Sequence, residues 1–268
     1  MKRSDAYQRK NVPAVRENTI NRHEEHISLT WPIILHLFPG ALTMLLMLVA
    51  GYLLKEAGLF PSVPVIFTIV GPLLALGLLG FLCYKGKQIN GRISLRGVVL
   101  YRHNSIPWWQ TVGLALPLFA WIAFIWYACK PAINAFFITH FFSWMPAYLF
   151  DDYFLNNLGQ YSPDTLRVIG ILFTLSISFG GAVEELYFRG YLLPRMNYLG
   201  RWAPITNIVL FSLYHFWSPW ENLVRLLGMA PWIYCVWRTR NIYLSLLIHF
   251  VINAFSGLSL LSLILSRT

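Results

Sequence analysis

Charge is scarce in this chain of 268 residues: Asp, Glu, Lys and Arg make up 12% of it and hydrophobic residues 57%. Soluble domains usually carry about twice that share of charge, so the composition points to a bilayer rather than a large soluble core. Acid is scarcer than base, 11 residues against 21. A nucleic-acid interface does not follow, because the Lys and Arg residues sit mostly in short segments between apolar runs, as orientation signals do. Cysteine is limited to Cys83, Cys129 and Cys235, widely spaced inside apolar runs. Neither a disulfide framework nor a paired zinc motif has that pattern. The first 30 residues are polar, and the apolar run behind them passes signal-peptide length without a small-residue cleavage site, so the tail is expected to be retained. No internal repeat or low-complexity tract is visible.

What the chain does have is a series of apolar runs close to the roughly 20 residues that cross about 30 Å of hydrocarbon. Spans are predicted at 32–54, 61–84, 108–130, 166–187, 203–218, 222–237 and 241–264, with breaks where Pro, Gly or charge clusters. The aromatic stretch 132–150 fits either a short eighth span or a helix lying in the interface. The fold class expected is all-α, a polytopic transmembrane bundle of seven to eight helices. It divides into a polar tail (1–30), N-terminal membrane helices (31–160) and a C-terminal membrane unit (161–266).

Lys85, Lys87, Arg92, Arg96 and Arg102 share one loop, Arg195 and Arg201 a second, and Arg238 and Arg240 a third, while Asp151, Asp152 and Asp164 share a loop of opposite sign. With the basic tail inside, seven spans put all three basic loops in the cytoplasm and the acidic loop outside, and an eighth at 132–150 would break that agreement. The eleven Trp residues, Trp108, Trp109 and Trp217 among them, read as interface anchors near span ends.

Charged groups inside a span cost at least a few kcal/mol each, which singles out Glu184 and Glu185 in SFGGAVEELYFRGYLL. Four residues apart on a helix, Glu185 and Arg189 share a face, whereas Glu184 points about 100° away from Glu185. The spacing suggests a division of labour: Arg189 fixes Glu185 as an ionised structural partner and Glu184 faces a cavity and handles protons. A buried pair joining helices is the plainer reading of this segment alone. His215 occurs in the next span. His249 and Asn253 follow in the last, at i and i+4, where they form a paired donor set on one helix face.

Depth supplies a separate check, at 1.5 Å per residue. His249 lies about 14 Å from Arg240, and Glu184 and His215 about 16–21 Å from their nearest basic loops. All four positions are therefore expected to meet near mid-membrane, open to the cytoplasmic side.

Taken in order, Glu184-Glu185-x-x-x-Arg189-Gly190, Phe211-x-x-x-His215 and His249-x-x-x-Asn253 resemble the CAAX-protease and bacteriocin-processing family, also called Abi or CPBP. The resemblance covers about residues 165–260; the first half of the chain is similar only in being hydrophobic and helical. It implies an intramembrane endopeptidase acting on a membrane-associated, lipidated or prenylated protein or peptide, in a bacterial-type plasma membrane. It also implies roles. Glu184 and His215 would activate water, His249 and Asn253 would stabilise the oxyanion, and Glu185 and Arg189 would organise the site.

Such chemistry runs without a cofactor, since a carboxylate and an imidazole can polarise one water while two donors hold the developing charge. Zinc is the competing expectation, because two histidines and a glutamate match a common catalytic ligand set. His23-Glu24-Glu25-His26 superficially resembles a zinc-protease helix, but its histidines are three apart rather than four. His36 and His140 read as interfacial or packing residues. Two other function classes stand beside the protease: a non-enzymatic membrane partner, such as an immunity protein or scaffold, and a proton-coupled transporter. The inverted repeats expected of many transporters are not visible.

Overall fold

A computed structural model describes residues 30–101 and 106–267. The polar tail with its His23–His26 pair, together with Arg102 and His103, lies outside the described residues. The described chain is all-α. Its helices are α1 (Thr30–Glu56), α2 (Val63–Asn90), α3 (Trp108–Phe142), α4 (Asp151–Asn156), α5 (Pro163–Arg195), α6 (Trp202–Tyr214), α7 (Asn222–Thr239) and α8 (Ile242–Arg267). Of these, α1, α2, α3, α5 and α8 are long and apolar enough to cross a membrane. Several long apolar helices of this kind make it an integral membrane protein.

Local signals set the helix ends. Pro64 stands in the first turn of α2, where its missing N–H costs nothing, and Gly91 closes the helix in the left-handed region, φ 69°, with its N–H on Lys87 O at 2.9 Å. Ser162 caps α5 by accepting the Thr165 N–H at 3.2 Å, and Pro163 follows it. Arg240, at φ 51°, turns the chain from α7 into α8.

The bundle centres on α5, which packs most extensively against α8 and α2. Small residues allow the close approach: a Cβ on Gly257 would meet Thr174 at 2.6 Å, and one on Gly71 would meet Ser176 Oγ at 2.2 Å. Ser176 also donates to Phe67 O at 2.8 Å, tying α5 to α2. A single main core draws on both halves of the chain, from Met47 and Ile66 to Trp232 and Ile248.

The three basic loops gather at one end of the bundle. There Leu100 N–H donates to Gly190 O and Ile242 N–H to Tyr101 O, both at 2.9 Å, and Arg195 donates to Val98 O at 2.9 Å. The acidic loop closes the other end, where Phe150 packs on Trp220 at 4.7 Å and Tyr153 stacks on Phe60 at 5.0 Å.

Several expected boundaries move. The third span does not stop at 130: α3 runs on to Phe142 through wide π-type turns at Ile125–Cys129 and Ile138–Phe142. Residues 132–150 are therefore neither an eighth span nor a separate interfacial helix. Their first part prolongs α3 and the remainder turns into the acidic loop. The sixth helix is shorter than predicted, 13 residues, about 20 Å long and less than a full crossing. It folds back through 215–221 into α7, so both ends of this hairpin return to the basic-loop end.

Candidate functional site

Residue Glu184 ends the regular part of α5, and the following turns, Glu185–Leu192, are wound in the wider π form. Such bulges are frequent at functional sites because they re-aim side chains that a regular helix would spread around the axis. Here the winding sends Glu184 into a cavity and Glu185 behind it. The cavity, about 270 Å³, is bordered by Glu184 from α5, His215 just past α6, and His249 and Asn253 from α8. These four positions, picked out by the sequence, thus share one space. Glu185 and Arg189 do not border it; both are fully buried.

The buried pair forms the site's back wall. Arg189 Nη1 lies 3.1 Å from Glu185 Oε1, an ion-pair distance without hydrogen-bond alignment, and none of its guanidinium nitrogens has a hydrogen-bond partner among the described residues. Its cation instead faces rings, with Cζ 3.8 Å from the Phe211 centroid and 5.6 Å from that of Trp232. The Glu185 carboxylate is held from α8 as well: Ser245 Oγ donates to Oε2, and His249 Nδ1 lies 2.6 Å from Oε1.

That contact fixes how His249 presents itself. With Nδ1 on Glu185, Nε2 is the ring atom left to the cavity, 4.0 Å from Glu184 Oε2. His215 is held differently. It occupies the residue after the last turn of α6, at φ −80° and ψ 60°, and its Nδ1 lies 2.8 Å from Phe211 O. A carbonyl can only accept, so Nδ1 carries the proton and a neutral ring has its lone pair on Nε2. Asn253 donates to Ile177 O at 2.7 Å, which leaves the second amide N–H and the oxygen for the cavity. Gly181 makes the approach possible: a Cβ there would stand 2.5 Å from Asn253 Nδ2 and 3.0 Å from His249 Nε2.

Other groups around the cavity were not singled out by the sequence. Tyr214, fully buried, donates its hydroxyl to Glu184 Oε1 at 3.0 Å. Its place one residue before His215 was the available signal. Glu221 accepts from Arg225 at 2.6 Å and pairs with Lys130 at 2.6 Å, a charge cluster at the acidic-loop end; the i,i+4 spacing of Glu221 and Arg225 was its signal. Trp217 is a correction, since it is 7% exposed, borders the cavity and packs on His215 at 4.9 Å rather than anchoring at an interface. His36 is a packing residue, bonded to Pro32 O at 2.6 Å and approached by Asn207 Nδ2 at 3.0 Å.

Zinc was the alternative to a cofactor-free site. Among the described residues, no group of three or more His, Cys, Asp or Glu is disposed to hold a metal ion. No step below passes through a metal.

A helical membrane bundle thus places a carboxylate, two imidazoles and an amide around one cavity. Residues 166–255 match the family described as Rce1-like, type II CAAX prenyl endopeptidase, in agreement with the resemblance carried by the three motifs. The matched stretch contains all six site residues, and the family supports a CAAX-type intramembrane protease in general. No curated protein and no solved structure matches the chain.

Proposed function

We propose that the protein is an intramembrane endopeptidase that hydrolyses a peptide bond in a membrane-associated or lipidated protein or peptide, with Glu184 and His215 activating the water. The observation that supports it most is the meeting of Glu184, His215, His249 and Asn253, from three separate parts of the chain, on one cavity. Apolar and aromatic walls, including Phe67, Trp126 and Phe173, suit a hydrophobic substrate segment.

In this reading, water sits between Glu184 and the Nε2 lone pair of His215. Glu184 takes its proton as the oxygen attacks the scissile carbonyl carbon. Tyr214 occupies Oε1, so Oε2 is the oxygen left to receive it. The developing oxyanion accepts from the free amide N–H of Asn253 and from His249 Nε2–H, in the doubly protonated ring whose charge Glu185 balances. Collapse of the adduct breaks the C–N bond, and Glu184 returns the proton to the departing amine. Glu185 and Arg189 touch no reacting atom; they hold His249. The basic-loop end faces the cytoplasm of a bacterial-type plasma membrane, and Glu184 and His249 lie in the half of the bundle next to it.

Glu184→Ala tests the proposal through cleavage of membrane-anchored peptides by purified protein in liposomes. Loss of a general base is expected to lower the rate about 10²- to 10⁴-fold. Equal cleavage by the variant and the natural protein would remove Glu184 from the reaction.

A further inference from the structure

Gly71 on α2 and Gly180 and Gly181 on α5 all border the catalytic cavity, and they are not alike. A Cβ on Gly71 would meet Ser176 Oγ at 2.2 Å and one on Gly181 would meet Asn253 Nδ2 at 2.5 Å, so these two let α2 and α8 close on α5. A Cβ on Gly180 would meet nothing within 4 Å. Its backbone is ordinary helix, since Gly180 lies inside α5 and outside the set of positive-φ glycines. Neither packing nor φ asks for glycine there, although glycine inside a helix weakens it relative to alanine.

Position around the helix fixes what the bare residue faces. At about 3.6 residues per turn, Phe173 and Glu184 fall within about 40° of Gly180, and Ser176 and Ile177 lie on either side of it. These residues all border the cavity. Gly180 thus sits in the middle of the α5 stripe, between the line where α2 meets α5 at Ser176 and the line where α8 meets it at Gly181. Gly77 and Gly80 on α2 are equally bare, but they border no part of the cavity. Apolar groups supply much of the remaining wall, Phe67 and Leu74 from α2 and Ile122 and Trp126 from α3.

Position along the helix relates the bare residue to the reaction. Gly180 precedes Glu184 by one turn, about 6 Å along the axis. An extended peptide advances about 3.3 Å per residue. A peptide laid along the stripe with its scissile carbonyl beside Glu184 therefore brings over Gly180 a side chain one or two residues from that bond. We infer that Gly180 is a specificity-determining position: the space above it receives a large apolar side chain within two residues of the scissile bond, and the missing Cβ sets the size that fits. The inference deepens the protease reading and rests on it for the placement of the scissile bond.

Substrate size and side-chain size at position 180 are varied together to test it. Membrane-anchored peptides carry Ala, Leu or Phe at each of the two residues on either side of the cut bond, and kcat/KM is measured in liposomes. At the matching peptide position, Gly180→Leu is expected to lower kcat/KM for the Phe peptide about 10- to 200-fold, mainly through KM, and for the Ala peptide by a factor about tenfold smaller. Gly180→Ala and Gly180→Val should fall between, and they keep the test decisive if Gly180→Leu does not fold. Gly77→Leu, away from the cavity, should show no dependence on peptide size. A loss of equal size on Ala and Phe peptides at every position, as general strain in α5 would give, overturns the inference, and so does no loss at all. The same peptides are titrated by fluorescence anisotropy against Glu184→Ala protein with and without Gly180→Leu, where the Phe peptide should bind more weakly in the double variant and the Ala peptide much less so. Cleavage by the natural protein no faster than by Glu184→Ala removes the protease reading alone; binding that ignores peptide size removes the role of Gly180.

Discussion

The substitution Gly181→Ala adds one methyl group at the point where α5 and α8 carry the site. The new Cβ would lie 2.5 Å from Asn253 Nδ2 and 2.9 and 3.0 Å from Cδ2 and Nε2 of His249. Restoring an ordinary contact of about 3.5–4.0 Å requires α8 to retreat, or both side chains to swing, by about 1 Å. Asn253 would then leave Ile177 O, now 2.7 Å away, and His249 would turn on Glu185. A displacement of that size at reacting groups costs about 10²-fold in rate. Overpacking of about 1–3 kcal/mol is offset by about 1 kcal/mol of helix propensity, so the fold should lose only about 0–2 kcal/mol.

The assay measures kcat and KM on a membrane-anchored fluorogenic peptide alongside thermal unfolding. Gly77→Ala, whose Cβ meets nothing within 4 Å, is the neutral control. Gly257→Ala, which would press Thr174 at 2.6 Å, strains the same pair of helices away from the site. The expected pattern is a kcat loss of about 10²-fold for Gly181→Ala and a much smaller one for Gly257→Ala at comparable stability. Full turnover in Gly181→Ala would refute the placement of His249 and Asn253 at the reacting centre.

Tyr214→Phe removes only the hydroxyl on Glu184 Oε1 and keeps the ring between Phe188 and Trp217. A charge-assisted hydrogen bond worth about 1.5–3 kcal/mol predicts a kcat fall of about 10- to 100-fold, with KM unchanged; an unchanged kcat would show that Glu184 needs no such partner. Treatment with zinc chelators is expected to leave cleavage intact, and inactivation reversed by added zinc would replace the metal-free mechanism. Burial pushes the Tyr101 hydroxyl up to about 12, against an Asn197 hydrogen bond that pulls it down. The unfolded chain then loses this proton first, so stability should fall from about pH 10 toward 12 by about 2–3 kcal/mol, and Tyr101→Phe should flatten that fall in alkaline unfolding. An identical alkaline profile in Tyr101→Phe would locate the loss elsewhere.

Much of the bundle was legible because a bilayer imposes one requirement on every crossing segment, a long apolar helix. Glu184, His215, His249 and Asn253 could be picked out because each is a polar group in an apolar run, and rise per residue was enough to put them at one depth. What escaped was set by packing across elements. The π turns of Glu185–Leu192 leave no hydropathy signal. His215 reads as part of a helix until the chain is seen to leave the helix at that residue, freeing its ring for the cavity. Lys130 seemed to end a span, whereas its partner Glu221 lies 91 positions further on.

Contact between Gly40 and Tyr214 bears on what could be cut away from this protein. A Cβ at Gly40 would fall 1.9 Å from the carbonyl oxygen of Tyr214, so α1 rests directly on the backbone that delivers His215. Two further walls, from α2 and α3, come from the portion that has no motif of its own. The segment bearing the recognisable signatures is therefore not a detachable module. Excised at residue 161, it would keep its acid, imidazoles and amide but lose the surfaces that give them a common interior, and grafting it onto unrelated helices would mean rebuilding half a binding chamber.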